Sequence, residues 1–308
     1  MPVIYAIGET IYDIIFKNEE PVAAKAGGAM LNTAVSLGRL GLPVHLISEY
    51  ATDRVGDIIN KFLDVNGVDT SYVFRYQDGK TPVALAFLND QADARYSFYK
   101  FYPENRLEIE HPAFTAGDII IFGGFYSLMP EIRQQLMSFL KASQDSGATI
   151  LYDPNIRSPH KDEIGELREL IYENLSLSNI VRGSDEDFKT VFGIEKGHEA
   201  YRLLQECRCH YLVYTKSNKG VEIHSPGGMM EVAVPPVQTV STVGAGDSFN
   251  AGLIYELFRK KKKPGDYSMS EFSEMIKTAM SFGSHVCTHY DNYISEGFAE
   301  KMMLDTGY

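Results

Sequence analysis

The sequence predicts a three-layer α/β fold with a mainly parallel central sheet and a small β-sheet lid. Two observations predict it. Short apolar runs alternate with amphipathic helical segments over most of the 308 residues, and repeated βα units imply a parallel sheet covered by helices on both faces. One region breaks the alternation: residues 10–16 and 72–99 carry strand patterns with no helix between them. No repeat, low-complexity tract or long linker divides the chain. Residues 1–308 are therefore expected to form one domain, with a lid from about 10–17 and 72–102.

The elements follow in order. Val3 to Gly8 reads as a short buried strand, and Met30 to Leu40 as a helix stopped by Gly41. Val44 to Ser48 is a strand, and Val55 to Asn66 a helix ending at Gly67. Asp118 to Phe122 and Thr149 to Tyr152 are strands around a helix from Glu131 to Ser146. Ile180 to Arg182 and Tyr211 to Tyr214 continue the strand series, and a β-rich segment runs from Val232 to Val240. The last clear helices are Phe249 to Lys260 and Glu271 to Val286. In the lid, Pro82 to Leu88 and Arg95 to Tyr99 flank a turn at Asn89 to Asp93, the pattern of a hairpin.

Composition narrows the function classes. Apolar residues make up 44% and charged residues 23%, both ordinary for a soluble globular protein. A formal net charge of −12 argues against a general nucleic-acid binder while leaving room for a local basic pocket. Cys207, Cys209 and Cys287 do not suggest a disulfide framework, and Cys207-x-Cys209 lacks the second pair a zinc site needs. No basic region precedes the short apolar run at the N-terminus, and no run approaches the ~20 residues of a membrane span. A cytoplasmic protein without a membrane partner is expected. Lys260 to Lys263 follow a helix and precede Pro264-Gly265, which suits a solvated helix C-terminus.

Ser241-Thr-Val-Gly-Ala-Gly-Asp-Ser-Phe-Asn-Ala-Gly252 joins a β-rich segment to a helix. A helix N-terminus offers free N–H groups and partial positive charge, a ready anion site. Gly244 and Gly246 let the backbone approach a phosphate closely. Asp247 falls in the first turn, where a carboxylate can take the proton of an attacking hydroxyl. The same residues also fit a turn followed by a capped helix. Earlier, Ala26-Gly-Gly-Ala-Met-Leu-Asn-Thr-Ala34 opens another helix, with Asn32 in its first turns. Its N–H groups and amide suit sugar hydroxyls, and they equally suit a plain glycine turn.

The later run resembles the second signature of the ribokinase-like (PfkB) carbohydrate kinases, Asp-Thr-x-Gly-Ala-Gly-Asp-x-Phe-x-x-Gly, with Ser241 in place of the first aspartate. The earlier run resembles the first signature, Gly-Gly-x-x-x-Asn-x-Ala, and Asp53-x-x-Gly56 is similar to that family's Asp-x-x-Gly turn. The resemblance covers nearly the whole chain and implies a ribokinase-like fold with sugar held between body and lid. It implies ATP as phosphoryl donor, with Mg²⁺. It makes Asp247 the base and Gly244, Ala245 and Gly246 the anion hole. Asp13, Gly28 and Asn32 become sugar-binding residues. The nucleotide falls to Lys216, Ser217, Gly220, Thr242, Gly244 and Gly246.

The family's Asn-x-x-Glu appears as Ser184-Asp-Glu-Asp187, so Asp187 would meet the metal through water; a helix cap with Ser184 is the alternative, and both can hold. Thr215-Lys-Ser217 replaces Thr-x-Gly. Ser241 removes the aspartate associated with a monovalent cation in many relatives, which makes potassium dependence doubtful. The Thr288 to Tyr293 segment departs from the usual Gly-Ala-containing end.

Asp153-Pro-Asn-Ile-Arg157 resembles a segment of fructokinases and 2-keto-3-deoxygluconate kinases, Ile121 to Leu128 resembles a fructokinase segment, and Arg95 stands in a similar lid setting. Arg157 and Arg95 could hold sugar or phosphate, or a carboxylate if the acceptor is a keto acid. As a surface residue and a cross-strand partner they are equally placed. The expected activity is transfer of the ATP γ-phosphate to a primary hydroxyl of a small sugar, foremost fructose. The alternatives are a 2-keto-3-deoxygluconate kinase, a ribokinase, or a catalytically silent sugar-binding protein. Neither Gly-x-Gly-x-x-Gly after the first strand nor Gly-x-x-x-x-Gly-Lys-Ser/Thr occurs, which disfavours dinucleotide and P-loop enzymes. The lid edge, which needs covering, suggests a homodimer.

Overall fold

The computed structural model describes residues 1–88, 94–156, 164–263 and 265–306. Strand β1 (Ile4–Ile7) leads into β2 (Ile11–Lys17) and β3 (Glu20–Gly27). Helix α1 (Ala29–Arg39), β4 (Val44–Ala51), α2 (Arg54–Val65), β5 (Val68–Asp69), β6 (Val73–Tyr76), β7 (Lys80–Leu88) and β8 (Ala94–Phe101) follow. Then come β9 (Ile119–Gly123), α3 (Pro130–Ser146), β10 (Thr149–Asp153), α4 (Ile164–Leu177), β11 (Ile180–Ser184), α5 (Asp185–Phe192) and α6 (Gly197–Glu206). The chain ends with β12 (Tyr211–Thr215), β13 (Val221–Ser225), β14 (Gly228–Val232), α7 (Ala245–Lys260), α8 (Met269–Cys287) and α9 (Glu296–Thr306).

The central sheet has the order β14-β13-β12-β11-β10-β9-β1-β4-β5, with β6 also paired to β4. It is parallel from β12 to β5, and β13 and β14 are antiparallel at one end. Its strands are apolar on both faces, and the two-residue period sorts the side chains. Ile4, Ala6, Ile119 and Ile121 enter a core shared with α1, α2, α7, α8 and α9. Tyr5, Ile7, Ile120 and Phe122 enter another, shared with α3, α4, α5 and α6. Two helical layers therefore sandwich the sheet, as the alternation predicts. Helix α7 is buried from Asp247 to Phe258, because a helix apolar on most sides must be covered on most sides. Among the described residues no helix is long and apolar enough to cross a membrane.

A second sheet, in the order β3-β2-β7-β8, stands apart from the first. Its membership corrects the expected lid boundaries. Residues 20–27 belong to it as β3, whereas 73–76 form β6 and pair with β4 in the central sheet. The β2–β3 turn is Asn18-Glu19, both in the left-handed region at φ 52° and 64°. Such turns usually announce themselves with glycine, and none is present. The expected hairpin turn at 89–93 lies outside the described residues. Strand β8, one edge of this sheet, exposes Tyr96, Phe98, Tyr99 and Phe101.

Two further expectations change. The β-rich segment expected from Val232 to Val240 is not a strand beyond its first residue: β14 is Gly228–Val232, and Pro235 and Pro236 lack the N–H a ladder requires. Helix α9 extends the chain beyond the last helix expected.

The Asp53-x-x-Gly56 turn has a mechanical role. Asp53 caps α2 by accepting from Gly56 N at 2.9 Å, and it also accepts from Thr81 N at 3.0 Å and Thr81 Oγ1 at 2.7 Å. Partial burial works against its charge, but these bonds outweigh it and hold its pKa below the ordinary value. The bonds fasten β7, and with it the small sheet, to the body. On the return from that sheet, buried Glu49 accepts from Arg106 Nε at 2.7 Å, Leu107 N at 2.9 Å and Tyr126 Oη at 3.1 Å.

Candidate active site

Helix α7 starts abruptly after Gly244, which is left-handed at φ 80°. A side chain there would collide with the backbone of Asn292, which lies directly against it. Ala245 N donates to Thr242 O at 3.3 Å and Ser248 N to Gly244 O at 2.9 Å, so the first turn is closed tightly. The N–H groups of that turn have no acceptor within the helix. Asp247, third in the helix, is only 6% exposed.

Helix α1 brings the first motif to the same place. Gly28 caps it and is pressed against the Glu9 carbonyl. Asn32 Nδ2 then donates to Asp247 Oδ2 at 2.8 Å, across 215 residues of sequence. Thr33 Oγ1 lies 3.0 Å from both Ala29 O and Asp247 O. Two helix N-termini thus converge on one carboxylate, where their dipoles favour negative charge. Asn32 Oδ1 is buried without a hydrogen-bond partner, an acceptor suited to a ligand hydroxyl. Asp13 on β2 sits against Gly27, which leads into α1. Asp13, Gly28, Asn32, Gly244, Ala245, Gly246 and Asp247 are therefore assembled at one site.

Arg182 is the residue sequence reasoning missed. It projects from β11, and a Cβ on Gly246 would lie 2.9 Å from its Nη1. Its guanidinium therefore stands on the start of α7. Nη1 is 3.2 Å from Asp153 Oδ2, and Nη2 donates to Thr215 Oγ1 at 3.1 Å. Asn250, one turn beyond Asp247, donates to Asp153 Oδ2 at 2.6 Å. Burial pushes the Asp153 carboxyl up to about 6, with Arg182 and Asn250 opposing and Asp187 and Asp247 adding to the rise. The available signal was a lone arginine near the carboxyl end of an apolar strand, where parallel sheets place ligands.

Other expected residues lie elsewhere or are otherwise engaged. Arg157 lies outside the described residues. Arg95 is exposed on β8 opposite Phe87. Lys216 Nζ is held by Glu222 at 2.8 Å and Glu231 at 2.5 Å, which ties its charge to the β13–β14 hairpin. Ser217 begins a short 3-10 turn closed at Gly220, whose carbonyl accepts from Lys216 N at 2.9 Å. Thr242 is exposed beside the start of α7. Ser241 Oγ accepts from Val243 N at 3.2 Å.

Asp187 forms the capping box of α5: Oδ2 accepts from Ser184 N at 2.7 Å and Ser184 Oγ at 2.6 Å, and Oδ1 accepts from Ile156 N at 2.8 Å. With three donors already bound, it suits contact with a hydrated cation better than direct ligation. Among the described residues no group of three His, Cys, Asp or Glu side chains could hold a metal.

A cleft of 560 Å³ between β14 and α8 is lined by Val232, Ala233, Pro235, Lys277, Met280 and Ser281. Gly283, one turn further along α8, abuts the Ala245 carbonyl. The cleft therefore opens about one turn from the N-terminus of α7.

The sequence model described as pfkB family carbohydrate kinase matches residues 1–296. A fructokinase of Rhizobium leguminosarum bv. trifolii is 30% identical over 269 residues, covering 82% of this chain and 79% of the relative. An aminoimidazole riboside kinase from Salmonella enterica, complexed with aminoimidazole riboside and an ATP analogue, superposes with a TM-score of 0.83 at 21% identity, covering 98% of both chains. A fructokinase from Vibrio cholerae O395 with fructose, ADP and calcium gives 0.83 at 19% identity, again over 98% of both chains.

The raised pKa of Asp153 predicts a pH dependence of stability. The folded state binds this proton more tightly than the unfolded chain, whose ordinary value is 3.8. Its stabilising contribution is thus greatest at low pH and is lost as pH rises towards about 6. Denaturant unfolding across that window should show wild type losing about 2–3 kcal/mol relative to Asp153→Asn. A difference that stays flat with pH would refute the buried, elevated carboxyl.

Proposed function

We propose, for a chain that belongs to the PfkB family of carbohydrate kinases, transfer of the ATP γ-phosphate to a primary hydroxyl of fructose. The observation that carries the mechanism is the Asn32–Asp247 bond at the N-terminus of α7. Asp13, Gly28 and Asn32 hold the sugar, and Asp247 takes the proton of the attacking hydroxyl. The hydroxyl oxygen bonds to the γ-phosphorus as the bond to the β-phosphate bridging oxygen breaks, releasing ADP. Gly244 and Gly246 direct N–H groups at the charge that develops, Ala245 N being held by Thr242 O, and such fixed donors supply much of this type of catalysis. Arg182 adds a planar cation beside Gly246.

The nucleoside occupies the cleft between β14 and α8, with Thr242, Ser217 and Gly220 along the polyphosphate path. Asp187 would hold a bound Mg²⁺ through water, and the ion would neutralise phosphate charge.

Fructose is supported by the fructokinase relative at 30% identity. It is also supported by the engagement of the nearby cations. Lys100 Nζ lies 2.5 Å from Glu9 Oε1 and Arg106 is bonded to Glu49, which leaves neither free for a sugar phosphate. The riboside kinase neighbour supports a riboside as the second reading.

ADP release with MgATP and a panel of fructose, ribose, 2-keto-3-deoxygluconate, adenosine, aminoimidazole riboside and fructose 6-phosphate tests the acceptor. Fructose should give the highest kcat/KM. Preference for the riboside or the keto acid would overturn fructose while keeping the kinase, and turnover of none would refute the activity. Arg182→Met should lower kcat by about 10²-fold or more with the preferred acceptor. Unchanged kcat would exclude Arg182 from the phosphoryl site.

A further inference from the structure

Lys25 lies outside both motifs, yet it connects the two halves of the site. It sits on β3 directly opposite Asp13 of β2. Its Nζ donates to Tyr290 O at 3.1 Å and to Asn292 Oδ1 at 2.9 Å, spanning more than 260 residues of sequence. Asn292 is itself buried, and its backbone is the surface on which Gly244 rests. One ammonium therefore ties the small sheet, at the strand pair carrying Asp13, to the segment that backs the N-terminus of α7. Burial lowers the Lys25 pKa, while Asp13 and Asp291 favour its charged form.

The opposite end of that segment has a separate anchor. Arg39 Nη1 donates to Ile294 O at 2.7 Å, Ile294 N donates to Ser36 Oγ at 3.3 Å, and the Arg39 guanidinium lies 4.7 Å from the Tyr293 ring centre. Residues 293–294 are thus held to α1 whatever occupies position 25. Lys25 instead holds Tyr290 and Asn292, the part against Gly244.

We propose that Lys25 is a positioning residue for phosphoryl transfer. It sets Asn292, and through it Gly244 and the first-turn N–H groups of α7, relative to the strand pair that holds the sugar. It touches neither reacting group. Its effect is geometric, and misplacement of a catalytic group by about 1 Å can cost on the order of 10²-fold in rate.

This proposal rests on the kinase reading above, so its test has one arm that needs no acceptor. Lys25→Met should retain the wild-type melting transition through the Arg39 anchor. Its kcat should fall by about 10- to 10²-fold, with a smaller change in fructose affinity measured without nucleotide, since Lys25 lies beside Asp13. Lys25→Arg, which can reach both acceptors, should restore most of the loss. In a double-mutant cycle, adding Asn292→Ala to Lys25→Met should cost little more, because both remove the same tie.

Calorimetric binding of ADP alone should be weaker for Lys25→Met than for wild type. Equal ADP affinity, kcat within twofold of wild type, or fully additive losses in the cycle would overturn the proposal. If Lys25→Met does not fold, the single variant Asn292→Ala and the arginine variant decide it by the same readouts. Absence of ADP binding by the wild-type protein would instead overturn the kinase reading, and this proposal with it.

Discussion

The hydrogen bond from Asn32 to Asp247 is the constraint around which the rest is arranged. A carboxylate with 6% exposure has lost most of its water, and burying such a charge is costly unless specific donors replace the solvent. Here an amide and the positive ends of two helices take that place. The two helices must then start at the same point, which explains the glycines at both starts. Gly28 is closed in by Glu9, and Gly244 by Asn292. Neither position has room for a side chain.

Charge balance extends the constraint outward. Asp187 and Asp247 both act on Asp153, and Arg182 sits between Asp153 and the start of α7. A buried cation paired with a buried carboxylate adds little to stability on its own, because such pairs gain little over apolar packing. It becomes useful if an anion is to be received there. The raised pKa of Asp153 and its unpaired Oδ1 fit the same picture of a site completed by ligand.

Much of this was legible in the sequence, for reasons that differ by residue. The helix starts at Gly28 and Gly244 were visible because glycine spacing and the following apolar pattern both report backbone geometry. Their meeting was not derivable from spacing, and it came from the family resemblance. The capping box at Ser184 and Asp187 was also visible, since it is a local interaction. Arg182 was hidden because strand patterning counts it as a polar exception without saying what faces it. Lys25 was hidden more thoroughly: its partners lie more than 260 residues away, in a segment that matches no motif. Strand β3 escaped because its turn uses Asn18-Glu19 without glycine, and the expected strand beyond Val232 failed on its two prolines. Asp53 looked like part of a signature, and in the structure it fastens α2 to β7. Local backbone chemistry is written in sequence, whereas long-range pairing of polar side chains is not.

The most direct measurement is turnover of MgATP and the preferred acceptor by Asp247→Asn beside wild type, with acceptor binding measured separately. The substitution keeps the size of the side chain and an oxygen for Asn32 to bond, and removes only the base. Turnover should fall by about 10²–10⁴-fold while acceptor binding persists. A variant that keeps turnover within about tenfold of wild type would contradict the role of Asp247 as proton acceptor.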